Sequence, residues 1–288
     1  MPSLKDLRNR IGSVKSTKKI TSAMKMVAAA KLKKAQDNAE RSRPYATKMH
    51  EIINSLTSGN QNQIKKFGER NKDKRNILLI VCSADRGLCG GFNGSIIKFT
   101  KKITKELSEK NNIKFIFVGK KAYQALKRDY ENMIIDNFTD IANPNIDFQL
   151  SSSVRDKVLQ LFLDEEVDEC HLIYTQFKSA ITQTVKSHKL LPLNNDNKEQ
   201  NKASTYEYEP NEESVLNEII PRNIAIQIHS GLLENLASEQ GSRMTAMDNA
   251  TRNANDMIDN LTLLYNRSRQ ALITSELIEI ISGAEAVW

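Results

Sequence analysis

Three groups of residues in this 288-residue sequence have types and spacings that could do chemistry. The first is the run Ser83-Ala-Asp-Arg-Gly-Leu-Cys-Gly-Gly-Phe-Asn93, which follows an apolar segment and precedes a helix-like one. Phosphate-binding loops sit at such a place. A P-loop needs Gly-Lys followed by Ser or Thr to reach phosphate and magnesium, but Gly91 is followed by Phe92 and Asn93. Gly87, Gly90, Gly91 and Gly94 do not supply G-x-G-x-x-G either. The glycines are therefore expected to serve a tight turn and close packing, in a nucleotide-like fold without the nucleotide site. The second group is Glu276 and Glu279 beside Thr274. Two carboxylates three apart on a helix could act as acid and base. No apolar pocket or basic partner lies in their local sequence, so they are read as a solvated or partner-facing edge. The third group is Cys82, Cys89 and Cys170 with His50, His171, His188 and His229. Their spacing fits no metal site, and an odd cysteine count without a secretory signal points to reduced thiols. Packed thiols and surface imidazoles are expected. Ser187-His188 falls in a strand with no nucleophile signature around it. No catalytic, cofactor-binding or metal-binding residue is predicted.

The elements that would position these residues are of two kinds. From Leu4, apolar residues recur at spacings of three and four: Leu4, Leu7, Ile11, Val14, then Ala28, Leu32, Ala35, Ala39, then Ala46, Met49, Ile53, Leu56. This heptad seam predicts a helix from Ser3 to Leu56. Lys18, Thr21 and Lys25 interrupt it, and Ile20, Met24 and Val27 form a neighbouring stripe, so the buried face is expected to shift there. Ser3 is the predicted N-cap, with Asp6 completing an acidic capping box, and Pro44 should kink the helix. A polar stretch from Ser58 to Asn76 reads as a linker.

Residues 77–208 change character. Strands are expected at Ile77–Val81, Lys114–Val118, Ile134–Phe138, Glu169–Phe177 and Ile181–Leu191. Helices are expected at Phe92–Glu109, Lys120–Arg128 and Ser151–Glu165. That alternation predicts an α/β domain with a mostly parallel sheet. A polar loop, Asn194–Ser204, and a short strand, Thr205–Glu209, would close it. From Asn211 to Ala286 the helical period returns, with a seam at Leu233, Leu236, Met247, Ala250, Ala254, Met257, Leu261, Leu264, Ala271 and Ile278. Gln240, Arg243, Ser268 and Ser275 occupy core-type positions, and Pro221 should kink or break the helix. The predicted fold is α/β: an antiparallel coiled coil of long N- and C-terminal helices with an inserted Rossmann-like domain. The expected divisions are a first helix at 1–58, a linker at 59–76, an α/β domain at 77–209 and a last helix at 210–288. Periodicity alone also allows a compact helical bundle beside an ordinary α/β domain.

Charge favours the paired helices. Residues 1–43 hold twelve Lys and Arg against three acids, or +9. Residues 204–288 hold five Arg and no Lys against thirteen acids, or −8. Opposite ends attract each other. A nucleic-acid-binding arm would need no acidic counterpart in its own chain, so no nucleic acid partner is expected. An α/β enzyme with oligomerising arms is disfavoured by the glycine run, which lacks phosphate-binding residues. The longest apolar run, Ile77–Cys82, is far short of the ~20 residues that span a bilayer. The basic start resembles a transit peptide in charge, but its helical register persists past Lys34, so it reads as mature structure.

Three segments in order carry a resemblance. They are Leu4-Lys-Asp-Leu-Arg-Asn-Arg-Ile-Gly-Ser-Val-Lys-Ser-Thr-Lys-Lys-Ile-Thr-Ser-Ala-Met-Lys-Met-Val-Ala-Ala-Ala-Lys31, the run Ser83–Asn93, and a C-terminal set. That set comprises Glu234–Gln240, Arg243–Ala250, Tyr265-Asn266 and Ile273-Thr-Ser-Glu-Leu-Ile-Glu-Ile-Ile-Ser-Gly-Ala284. Over its full length the sequence resembles the gamma subunit of F-type ATP synthases. The resemblance implies a non-catalytic rotor shaft inside a ring of three alpha and three beta subunits, with the α/β domain on the c-subunit ring beside epsilon. Nucleotide would bind alpha and beta, and no cofactor is implied here. Met24, with Lys25 beside it, matches the position facing an acidic loop of beta. Arg269, Gln270, Thr274 and Glu276 match further beta contacts. Tyr206, Tyr208 and Glu209 resemble the segment that meets the c-ring and epsilon. The resemblance implies a peripheral place on the cytoplasmic face of a bacterial inner membrane; the lack of a transit peptide suggests a bacterial chain. Trp288 and the Asn-rich loop at 194–204 depart from the family pattern.

Overall fold

A computed structural model describes residues 3–59, 68, 74–141, 146–192 and 212–285. The loop Asn194–Ser204, the expected strand Thr205–Glu209 with Tyr206, Tyr208 and Glu209, and Trp288 lie outside the described residues. The chain forms two compact units, Met1–Ala28 with Arg243–Trp288, and Ala29–Ser242. Two long helices, α1 (Leu4–Gly59) and α5 (Glu212–Glu285), contribute to both units. Each continues through its proline, Pro44 or Pro221, at the expense of one backbone hydrogen bond. Pro221 therefore does not break α5.

In the first unit Ser3 caps α1, its Oγ accepting the Asp6 N–H at 3.1 Å. The pairing of α1 with α5 is antiparallel. Thr251 Oγ1 meets Thr21 Oγ1 at 2.8 Å and Lys25 Nζ meets Asp248 at 2.5 Å, so α5 retreats three residues as α1 advances four. The seam on α1 runs straight through Leu7, Ile11, Val14, Lys18, Thr21, Lys25 and Ala28, all buried or half-buried. The expected shift to a second stripe does not occur: Ile20 is 60% and Val27 56% exposed, and only Met24 is half-buried. The reason is that α5 offers Thr251 and Asp248 at that level. A polar pair satisfied across the seam avoids the penalty of an unpaired buried group. On α5 the seam is Met247, Thr251, Ala254, Ile258, Leu261, Tyr265 and Ser268. Met257, Leu264, Ala271, Ser275 and Ile278, expected inside, are exposed. From Arg269 to Ala284 every residue is exposed, because α1 begins only at Leu4 and the register has by then used it up.

In the second unit, strands β1 (Asn76–Cys82), β2 (Asn112–Val118), β3 (Ile134–Phe138), β4 (Glu169–Phe177) and β5 (Gln183–Leu191) form one sheet of order β3-β2-β1-β4-β5. Pairs β1–β2, β1–β4 and β2–β3 are parallel, and β4–β5 is antiparallel. The central run Ile77-Leu-Leu-Ile-Val81 is apolar throughout because both faces of β1 are covered. Ile77, Leu79 and Val81 pack with α2 (Phe92–Ser108) and α3 (Lys120–Tyr130) through Phe92, Ile96, Ala122 and Leu126. Leu78 and Ile80 face α4 (Phe148–Leu163) and the start of α5, through Val154, Val158, Phe162, Ile224 and Ile228. Two apolar layers thus clasp one sheet. Gly231 lets α5 lie close on β4: a Cβ there would stand 2.6 Å from Leu172 Cδ2. Asn235 Oδ1 accepts the Thr175 N–H at 3.2 Å, and Ser238 donates to the Thr175 carbonyl at 2.9 Å.

Candidate functional site

Parallel sheets take ligands beyond the C-terminal ends of their strands, where the strand order reverses. Here that point lies between β1 and β4. The loop Ser83–Gly91 leaves β1 beside it and turns its polar groups toward β2, α3 and Ile141. Ser83 N–H donates to the Val118 carbonyl at 2.8 Å, and Ser83 Oγ accepts the Ala122 N–H at 3.0 Å. Asp85 accepts the N–H groups of Lys120 at 3.1 Å and Ile141 at 2.9 Å. Asn93 Oδ1 accepts the Ala84 N–H at 3.1 Å. The amides that open α3, which could otherwise hold a phosphate, are capped from within.

The glycines divide differently from expectation. Gly90 does turn the chain, with φ +56, next to Leu88 at φ +62. A Cβ on Gly87, Gly91 or Gly94 would meet nothing within 4 Å, so these three do not serve close packing. That role falls to Gly119, between β2 and α3. Its φ is +109, and a Cβ there would lie 2.2 Å from the Ser83 carbonyl oxygen. The cue in the sequence was a lone glycine between an apolar strand and a helix start.

Cys82, Cys89 and Cys170 are buried, as the sequence suggested. Burial pushes the Cys82 thiol up to about 12 and raises Cys170 as well, which leaves both unreactive. The imidazoles are less superficial than expected. His188 is exposed and bonds Gln227 at 3.0 Å. His229 is half-buried against the Phe148 ring, 3.0 Å from Ser151 Oγ, and desolvation lowers its pKa.

His171 belongs to a cluster that local spacing could not reveal. Across β4 and β5, Ser187 Oγ lies 3.3 Å from His171 Nδ1, and His171 Nε2 lies 2.8 Å from Glu169 Oε1. The residue types and order match a hydrolase relay. The carboxylate, however, is shared with Lys189 and Arg75, each at 3.5 Å. The hydrogen bond from His171, followed by the charge of Lys189, holds Glu169 down to about 2. The serine sits exposed on an antiparallel ladder, whose amides serve strand pairing and do not converge on an oxyanion. The cluster ties two strands together.

The residues predicted to contact beta lie on α1 and α5. Met24 is half-buried, and Lys25 is engaged with Asp248. Arg269, Gln270, Thr274 and Glu276 all sit, exposed, on the stretch of α5 that α1 leaves uncovered. Thr274 Oγ1 donates to the Gln270 carbonyl at 2.9 Å, an internal helix bond. Leu272, Ile273, Leu277, Ile278, Ile280 and Ile281 share that stretch, each close to half exposed or more.

A family model described as ATP synthase matches residues 3–287. The ATP synthase gamma chain of Pelagibacter ubique is 49% identical over 292 residues, and that of Beijerinckia indica 50% over 293, each covering all of both chains. This chain belongs to the ATP synthase gamma-chain family. Among solved structures, a chain of the Tetrahymena thermophila mitochondrial ATP synthase central stalk and c-ring superposes with a TM-score of 0.63 at 28% identity. It covers 80% of this chain and 99% of its own. A chain of the Euglena gracilis mitochondrial enzyme, 18% identical, gives a TM-score of 0.70 over 99% of this chain and 94% of its own, a likeness of fold. No helix among the described residues is long and apolar enough to cross a membrane.

Proposed function

We propose that this gamma chain is the non-catalytic central shaft of a proton-translocating F-type ATP synthase, coupling rotation of a c-subunit ring to catalysis at the beta subunits. The observation that carries this reading is the bare end of α5. Its apolar residues from Leu272 to Ile281 spread over about 240° of the helix at 100° per residue. A helix apolar on so many sides needs cover from all round. A ring of alpha and beta subunits supplies such cover without fixing one angle. Met24, Lys25, Arg269, Gln270, Thr274 and Glu276 are assigned to beta contacts. Tyr206, Tyr208 and Glu209 are assigned to the c-ring and epsilon. The working division is 1–58 and 210–288 for the shaft helices, 59–76 for a linker and 77–209 for the part that meets the c-ring. The assembly would hold the chain, as a peripheral subunit, at the cytoplasmic face of a bacterial inner membrane.

The test is reconstitution. Purified alpha and beta subunits are mixed with and without this chain, and ATP hydrolysis and co-purification are measured. Hydrolysis that depends on the chain, with the three subunits eluting together, supports the shaft role. Full hydrolysis without it and no co-elution would refute it.

A further inference from the structure

A second cleft lies where β1 and β2 begin, at the end of the sheet opposite the glycine loop. Its volume is about 740 Å³, and it opens between the last turns of α2 and the 3-10 turn Glu131–Met133 that follows α3. Among the described residues that line it, three are lysines, Lys74, Lys101 and Lys105, and none is acidic. Lys101 is neutralised by Asp129 at 2.6 Å. Lys74 and Lys105 are exposed and make no ion pair among the described residues. Two positive charges therefore face the cleft uncompensated.

Thr104 points to a ligand independently. It lines the same cleft, is 5% exposed, and its Oγ1 has no hydrogen-bond partner among the described residues. Thr17, Thr251, Thr262 and Thr274 bond to the carbonyl four residues back, whereas on α2 neither Thr104 nor Thr100, which lies outside the cleft, has a partner among the described residues. Thr104 forgoes that bond. A buried hydroxyl left unpaired is costly, and Thr104, unlike Thr100, lines a cleft from which a partner can reach it. Tyr130 and Met133 give the cleft an apolar wall beside these donors.

We propose that this cleft binds a phosphate monoester, either a soluble one or the headgroup of a lipid. Such a group carries close to two negative charges at neutral pH and accepts several hydrogen bonds. Lys74 and Lys105 neutralise it, the Thr104 hydroxyl donates to one of its oxygens, and its carbon body lies against Tyr130 and Met133. Lysine ammonium groups are suited to this role as point charges on long stems. None of these residues is among the individual contacts assigned above to beta, the c-ring or epsilon.

The experiment uses the full chain. Calorimetry with inorganic phosphate and with glycerol phosphate tests the soluble source. Flotation with phosphatidic acid in phosphatidylcholine vesicles, against phosphatidylcholine alone, tests the lipid source. Saturable binding in either arm is expected. Lys105→Gln should weaken it roughly tenfold, and Thr104→Val about fivefold, with Thr104→Ser restoring it. Lys186→Gln, an exposed lysine on β5, should leave it unchanged. Lys105→Gln alters only an exposed side chain, so its result stands even if Thr104→Val unfolds. Binding in neither arm overturns the proposal. So does an equal loss in Lys105→Gln and Lys186→Gln, which would reveal general charge attraction only.

Discussion

Thr21 and Thr251 face each other across the seam of the helix pair, their hydroxyl oxygens 2.8 Å apart, where a coiled coil would ordinarily place two aliphatic side chains. Thr21 Oγ1 also reaches the Lys18 carbonyl at 3.1 Å, and Thr251 Oγ1 the Met247 carbonyl at 2.8 Å. Thr21 donates to its own helix, and the single Thr251 proton is shared between the Thr21 oxygen and the Met247 carbonyl.

That arrangement predicts a non-additive pair. Thr21→Val alone should destabilise the helix pair by about 1 kcal/mol, because the Thr251 hydroxyl loses a partner in a half-buried place. Thr21→Val with Thr251→Val should recover most of that loss, since two methyls then meet across the seam. Thermal melts of the full chain followed by circular dichroism measure both. Equal losses that simply add would show that the hydroxyls act independently.

The Glu169 cluster predicts an acid-side dependence. A carboxyl held down to about 2 in the folded state, against an ordinary value near 4.5, contributes stability that is fully present above about pH 4.5. That contribution is lost as the pH falls through about 2. Glu169→Gln should remove it, at a cost of about 1–2 kcal/mol near neutral pH after allowance for solvent screening. Melting temperatures between pH 2 and 6 should then fall less steeply with acid in the variant than in the unmodified chain. Parallel curves would remove Glu169 from the account.

Gly119 and Gly87 predict opposite outcomes for the same substitution. Gly119→Ala forces a Cβ onto the Ser83 carbonyl at a backbone angle that L residues rarely adopt, and should cost about 3 kcal/mol or more. Gly87→Ala meets open space and should stay within about 0.5 kcal/mol. Neither should change affinity for ATP, which the isolated chain is expected not to bind. Calorimetry with ATP on the full chain checks that, and tight binding would overturn the reading of the loop.

Met24 predicts an effect on coupling without one on folding. Met24→Lys adds a charge to a face already carrying Lys18, Lys19 and Lys25, with Lys25 held by Asp248. Exposed ion pairs are worth only about 0–1 kcal/mol each, so the helix pair should melt normally. A new pair with an acidic beta loop would favour one rotational position over the others. Assembly and ATP hydrolysis should survive while protons pumped per ATP fall, as measured in vesicles beside the unmodified enzyme. Unchanged coupling would reduce this face to a solvated surface.

Element types were readable because each obeys a simple period. Ile77–Val81 is apolar on both faces, and the observed strand adds only Asn76 and Cys82. Ser3 as N-cap was equally plain. The seam was harder. Reading Ile20, Met24 and Val27 as buried follows hydrophobicity, whereas Thr21 and Lys25 stay inside because Thr251 and Asp248 answer them from more than 200 residues away. On α5, periodicity points to Met257 and Leu264 where Ile258 and Tyr265 form the seam, a slip of one residue with apolar side chains on both stripes. The cluster of Ser187, His171 and Glu169 depends on strand register, which no local spacing encodes. Thr104 looked like any helical threonine until its hydroxyl proved to lack a partner.

The loop that fills the end of β1 has a consequence for machinery that handles ATP. Ser83, Asp85 and Asn93 tie the loop after β1 to α2, α3 and Ile141 with bonds made within the chain. A ligand-bearing version of this fold would stiffen and soften as its nucleotide came and went. Torque sent through it would then vary with the energy charge of the cell. A body whose loop is tied down by its own side chains would have a compliance that does not depend on fuel level. A drive shaft can then deliver the same angular displacement per turn in starvation as in plenty.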